Sequence, residues 1–195
     1  MTTKSPILLD LSMPIKTKRL QLRSVAAGDG KRINEAVVET WSQLKEWVSW
    51  AQGNPPTVDE TEEVMRRFHA EFILRKGVHL AIFHDATFVG MCGFRQIDWE
   101  TPSADIGYWL RTGAQKKGFA TEAVSALTSY GFNEMGIKRI TIAIDDKNKP
   151  SVALAERLGF TLEARAPGLI HPIGDEFLPI GRIYSRFNDK NLPPF

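Results

Sequence analysis

Gln115-Lys116-Lys117-Gly118-Phe119-Ala120-Thr121 is the stretch on which the reading of this chain turns. Upstream, residues 104–110 have the apolar character of a strand. Downstream, residues 121–135 have the periodicity of a helix. A glycine loop that opens a helix leaves backbone N–H groups unpaired at the positive end of the helix dipole, and these suit phosphate. Lys116 and Lys117 add mobile positive charge. Gly113 and Gly118 have the four-residue gap of a nucleotide P-loop, but Phe119-Ala120 stands where that motif needs Lys and Ser or Thr. The dinucleotide fingerprint G-x-G-x-x-G is also absent. A second candidate is a pyrophosphate held without a metal, by the loop amides themselves.

Working outward, alternating or apolar runs at 19–23, 78–83, 88–96, 104–110, 139–144, 161–164 and 181–187 predict seven strands. Helical patterns cover 31–50, expected in two pieces, then 59–75 and 121–135. A last helix opens at Asn148-Lys149-Pro150-Ser151, with Asn148 as cap and proline in the first turn, where it is tolerated. Asp29, in the turn Gly28-Asp29-Gly30, is a second candidate cap. The order implies a mixed sheet with helices on both faces, an α/β (α+β mixed) chain. Residues 1–16 read as a loosely ordered leader, 17–188 as one domain and 189–195 as a tail.

Composition narrows the field. The chain has 195 residues, 43% of them hydrophobic, and 25 basic against 23 acidic side chains. That balance gives no electrostatic reason to expect nucleic acid. Cys92 is the single cysteine and lies in an apolar run, so it reads as an inert core thiol. The first residues are too short in apolar character for a signal peptide, and no run approaches the ~18 residues of a membrane span. The expectation is a cytoplasmic protein, monomer or homodimer, without a membrane partner. The four histidines (His69, His79, His84, His171) show no metal spacing.

Gln-x-x-Gly-x-Ala at 115–120 is similar to the acyl-CoA signature of the GNAT N-acyltransferase superfamily. Ile106-Gly107-Tyr108-Trp109-Leu110 before it, Asn148-Lys149-Pro150-Ser151 and Leu158-Gly159-Phe160 after it, and Thr17-Lys18-Arg19-Leu20-Gln21-Leu22-Arg23 near the start strengthen the likeness. Together with 44–56, these segments resemble the RimJ/RimL-type branch, which acetylates the N-termini of ribosomal proteins. The resemblance implies a largely antiparallel seven-stranded GNAT-like sheet, splayed in the middle. Acetyl-CoA is the implied donor, with no metal, and a protein or peptide N-terminus the implied acceptor. Pantetheine would pair with the strand near Trp109 and Leu110. The pyrophosphate would rest on amides of Gln115, Lys116, Lys117, Gly118, Phe119, Ala120 and Thr121, with Asn148 a further contact.

The implied reaction is direct attack of an amine on the thioester. Many members of the superfamily place a tyrosine on the last helix to serve the departing thiolate, and here that position is Ala155. Ser151 resembles the serine thought to replace it in the RimL type. Asp105, on the splayed strand, is the candidate base. Asp98 and Glu100 read as surface carboxylates, and His171, in a late loop with Asp175, as a group able to reach the acceptor. Trp41, Leu44, Trp47 and Val48 share a helical face, either as core or as a wall of the acceptor cleft. The acidic start of the second helix (Asp59, Glu60, Glu62, Glu63) suits the helix dipole. It would also suit a polyamine. Acetylation of a small amine (a polyamine, amino acid or aminoglycoside) is therefore one alternative, and non-catalytic acyl-CoA binding, supported by the missing tyrosine, is the other.

Overall fold

The computed structural model describes residues 5–174 and 177–195. After a 3₁₀ turn at Pro6–Leu8, the elements are β1 (Ile15–Lys16), β2 (Leu20–Ser24), α1 (Gly30–Trp47), α2 (Val58–Ile73), β3 (Val78–His84), β4 (Thr87–Asp98) and β5 (Ser103–Leu110). A 3₁₀ turn at Thr112–Ala114 leads to α3 (Phe119–Asn133), β6 (Arg139–Asp145), α4 (Lys149–Arg157), β7 (Thr161–Pro167) and β8 (Ile180–Arg186). The strands form one sheet in the order β1-β2-β3-β4-β5-β6-β8-β7. Every neighbouring pair is antiparallel except β5 and β6.

Strand alternation divides the core in two. Leu80 and Ile82 of β3 face α3 and α4, where Val124, Leu127 and Leu154 are buried. Ala81 and Phe83 face α1 and α2, against Ile33, Val37, Leu44 and Met65. Helix α3 lies close on the sheet because Gly131 has no side chain: a Cβ there would come within 2.6 Å of the Phe94 ring. Helix α2 starts with a capping box, in which the Thr57 hydroxyl accepts from the Glu60 N–H and the Glu60 carboxylate accepts from Thr57.

Four expectations are corrected. The sheet has eight strands rather than seven, because Ile15–Lys16 pairs with β2. The segment before it is not loose: Leu11, Met13 and Ile15 pack on the core, and the Leu9 carbonyl accepts from Arg75. Residues 1–4 of that expected leader lie outside the described residues. Helix α1 is one piece, since no proline or glycine interrupts residues 31–47. Asp29 makes no side-chain cap there. Its carboxylate instead accepts from Arg23 at 2.7 Å and from the Ala26 N–H at 2.9 Å, tying β2 to the start of α1.

Candidate active site

Parallel pairing between β5 and β6 lasts three residues: Ser103 with Arg139, Ala104 with Ile140, Asp105 with Thr141. Beyond that point β5 stays on β4 as far as Leu110, while β6 follows β8 as far as Asp145. The two strands therefore part. Backbone groups from Ile106 onward face a wedge instead of a partner, and such groups demand hydrogen bonds from a ligand or from water. The wedge is part of a cleft of about 1090 Å³ that passes between the two faces of the sheet. Tyr108, Trp109, Ile142, Asn148 and Ser151 line it at the wedge, and Trp41, Trp50, Phe68, Glu71, His79 and Arg95 line it toward α1 and α2.

The glycine loop follows the end of β5 and the 3₁₀ turn, and neither Leu110 nor residues 115–121 are among those that line the cleft. Gln115 is extended, Lys116 is left-handed at φ 60°, and Gly118 is left-handed at φ 81° as the residue preceding α3. No side chain caps this helix, so the N–H groups at its start lack a side-chain partner. The Gln115 amide holds the loop by donating to Gln43 at 2.7 Å and to the Leu110 carbonyl at 3.2 Å. Arg19 steadies the other side. It donates to the Lys117 carbonyl at 2.9 Å and lies 4.8 Å from the centre of the Phe119 ring.

Glu122, in the first turn of α3, is buried and accepts from the Thr17 hydroxyl, the Arg19 N–H and the Arg19 guanidinium. Its charge is thus neutralised at the start of α3. Burial pushes this carboxyl upward, but the bonds from Thr17 and Arg19 outweigh it and hold the group below its ordinary value. Lys116 and Lys117 are exposed, while Ala120 and Thr121 are half-buried. Arg157 adds a cation that the sequence did not single out, 3.4 Å from the Thr121 hydroxyl.

Across the wedge, the Asn148 side chain accepts from the Ser151 N–H at 3.2 Å, as its expected cap role requires. Ser151 is left half-buried on the cleft wall. Ala155 is fully buried in the core. From the opposite strand, Tyr108 brings its hydroxyl close enough to Ser151 to act on the phenol as a hydrogen bond would, but outside hydrogen-bond geometry. Burial pushes this phenol up to about 12, the adjacent Ser151 working against the rise.

Toward α1 and α2 the cleft is aromatic. Trp41 and Trp50 meet at 6.2 Å between ring centres, and Trp41 donates to the Gly53 carbonyl at 3.3 Å. Of the residues expected on one face of α1, Trp41, Trp47 and Val48 line the cleft, and Leu44 is buried in the core. His79 is bonded to Glu71 at 2.7 Å and stacked on Phe68 at 3.7 Å. This pair was missed in the sequence, where its two members belong to different elements and share no motif.

Burial holds His79 below its ordinary value of 6.5, with Glu71 opposing the shift. The unfolded chain therefore binds the proton more readily than the folded one. Stability from this group is present above about pH 6.5 and is lost as pH falls through the lower folded value. His79→Gln is expected to flatten the decline of Tm between about pH 7 and about pH 5, checked by thermal melts across that range.

Asp105 fits its expected role as base poorly. It stands at the last paired register, ion-paired with Arg95 and accepting from the Thr141 hydroxyl at 3.3 Å. Each oxygen already has a partner, and Asp105 is not among the cleft-lining residues. Arg95 reaches it from a bulge in β4, folding over Gly107. Asp98 accepts from the N–H groups of Glu100 and Thr101 and from the Thr101 hydroxyl, as a local turn. His171 is exposed between β7 and β8 and is not among the cleft-lining residues. Asp175 of that loop lies outside the described residues. Cys92 is buried, and burial raises its thiol well above the ordinary range, which makes a poor nucleophile of it. Among the described residues no group of His, Cys, Asp and Glu side chains is placed to hold a metal, and no helix is long and apolar enough to cross a membrane.

Comparison with known proteins finds relatives of the whole fold. YdaF of Bacillus subtilis (strain 168) is 28% identical over 153 residues, covering 76% of this chain and 81% of that protein. The ribosomal-protein-serine acetyltransferase of Escherichia coli (strain K12) is 25% identical over 150 residues, covering 75% and 82%. Among solved structures, the RimL ribosomal L7/L12 alpha-N-protein acetyltransferase in complex with coenzyme A superimposes with a TM-score of 0.82 at 23% identity, covering 92% of this chain and all of that one. The acetyltransferase (GNAT) domain family matches residues 19–161. By that match and by its fold, the chain belongs to the GNAT acetyltransferases and takes acetyl-CoA as its acyl donor.

Proposed function

We propose that this enzyme acetylates the α-amino group of a protein or peptide N-terminus. In this reading the pyrophosphate of acetyl-CoA rests on the amides from Gln115 to Thr121, and pantetheine runs beside Trp109 and Leu110. The amine enters from the α1 and α2 side. The names of related proteins direct the first trials to the N-termini of ribosomal proteins, and with them to a cytoplasmic setting.

The observation that carries the reading is the aromatic character of the cleft where the acceptor would enter. Its carboxylates already have partners: Glu71 has His79, Glu60 closes the capping box, and Glu63 pairs with Arg67. Just outside, Glu62 accepts from the N–H groups of Gly28 and Gly30 and pairs with Arg66. The acidic run that could have suited a polyamine is thereby occupied with helix starts and i,i+4 pairs. A single amine at a chain end matches such a chamber better than a polycation does.

The chemistry asks little of a base. An N-terminal amine titrates near ~8, so a fair fraction is neutral at pH 7. Attack on the thioester carbonyl forms the C–N bond. Collapse breaks C–S, expels the CoA thiolate and releases one proton from nitrogen. Positioning in the wedge supplies much of the acceleration. Ser151 donates a hydrogen bond to the departing sulfur.

A thiol-release assay tests the reading with acetyl-CoA against peptides with free N-termini, the same peptides with blocked N-termini, polyamines and aminoglycosides. Transfer should be confined to the free peptides, with the acetyl group located on the terminal nitrogen by mass spectrometry. Preference for a polyamine or an aminoglycoside would refute the acceptor assignment. Ser151→Ala is expected to lower kcat by about 10-fold or more at nearly unchanged acetyl-CoA affinity.

A further inference from the structure

Buried hydroxyls nearly always find a hydrogen-bond partner, because desolvating one without compensation costs on the order of 1–3 kcal/mol. Among the described residues two buried side-chain polar atoms lack a partner: the hydroxyls of Tyr108 and Tyr130. Tyr130 belongs to α3 and is not a cleft residue. Tyr108 is a cleft residue. It stands past the last β5–β6 pair, on the wedge itself, and its hydroxyl meets the first turn of α4 at Ser151.

Its ring packs with the core on the α3 and α4 side, the side on which the glycine loop opens its helix. A ligand that fills the wedge from that loop toward the sheet therefore runs past the Tyr108 hydroxyl. We propose that Tyr108 is a catalytic residue whose buried hydroxyl donates a hydrogen bond to the sulfur of CoA, next to Ser151, as the thiolate departs. This rests on the donor site described above and is independent of which amine is the acceptor.

Burial also fixes the direction of the bond. A phenol held near about 12 stays protonated at physiological pH, so it offers O–H and not a base. The donor stabilises the thiolate without giving up its proton, because a thiolate whose conjugate acid titrates near ~8.5 cannot deprotonate so weak an acid. The proton balance closes through solvent: nitrogen releases one proton, and the thiolate takes one up after leaving. The buried core position Ala155 needs no tyrosine of its own, because the hydroxyl arrives from the facing strand.

The test uses Tyr108→Phe, which removes only the hydroxyl. The unpartnered group contributes nothing to the unliganded fold, so Tm should be unchanged or higher, whereas a structural hydroxyl would lower it. Turnover is expected to drop by about 10- to 100-fold.

The deciding readout needs no acceptor. The pH dependence of CoA affinity is measured by calorimetry in the wild type and the variant, with desulfo-CoA as the control for binding at the loop. A donor to the thiolate lowers the titration point of the bound thiol. A shift of one unit makes CoA affinity climb about sixfold between about pH 7 and about pH 9, relative to desulfo-CoA. In Tyr108→Phe that climb should shrink to about twofold or less. An equal climb in both proteins overturns the proposal, even if turnover falls. Failure of the acceptor assignment would leave this titration untouched.

Discussion

Gly118→Glu is expected to weaken acetyl-CoA binding by at least about 100-fold while leaving a folded protein. Two effects combine. Gly118 is left-handed at φ 81°, where a residue with a Cβ pays roughly 1–2 kcal/mol. That Cβ would also stand 3.3 Å from the Arg19 guanidinium, tighter than ordinary contact. The larger effect is electrostatic and steric. The new carboxylate occupies the approach to the free N–H groups at the start of α3 and repels a pyrophosphate that the amides and lysines otherwise attract. A loss of about 3 kcal/mol corresponds to the stated factor. Gly118→Ala separates the two contributions, because it carries the strain without the charge, and should cost about 10-fold or less. Calorimetric titration with CoA checks both variants, and circular dichroism checks the fold.

The largest expected effect on stability belongs to Glu122. Its carboxylate collects the Thr17 hydroxyl at 2.6 Å, the Arg19 N–H at 2.8 Å and the Arg19 side chain at 2.7 Å. Those bonds fasten the turn between β1 and β2 to the helix that carries the glycine loop. Glu122→Ala leaves the Arg19 N–H without its acceptor and breaks the ion pair with the Arg19 side chain, at a cost of about 2–4 kcal/mol. For a chain of this size the fall in Tm is on the order of 10 °C. CoA affinity should suffer too, by a few-fold, because Arg19 would no longer be held against the Lys117 carbonyl.

Acid melts add a signature. The folded carboxyl titrates below its ordinary value, so its contribution is present above about pH 4.5 and is lost as pH falls through the depressed value. Glu122→Gln should therefore show a shallower decline of Tm below about pH 5 than the wild type.

What could be read from sequence was what is local along the chain. The glycine loop, the Asn148 cap and the acidic start of α2 each sit within a few residues, where cap and dipole rules apply directly. Strand alternation placed seven of the eight strands. The eighth, Ile15–Lys16, has two residues, too few for any periodicity to show. The pairings that shape the site lie at long range. His79 meets Glu71, Arg95 meets Asp105, and Tyr108 meets Ser151 only through sheet register and helix docking. That is why Asp105 looked free to act as a base when its neighbour across β4 was unknown. It is also why Tyr108, quoted as part of Ile106-Gly107-Tyr108-Trp109-Leu110, was read as family resemblance rather than as chemistry.

The most direct test of the account is a crystal structure of the protein with CoA. The account predicts pantetheine in the wedge between residues 106–110 and 142–145, pyrophosphate oxygens on the amides of residues 115–121, and the sulfur within hydrogen-bond reach of Ser151 and Tyr108. CoA bound elsewhere on the protein, or lying at the loop with its sulfur outside the wedge, would contradict it.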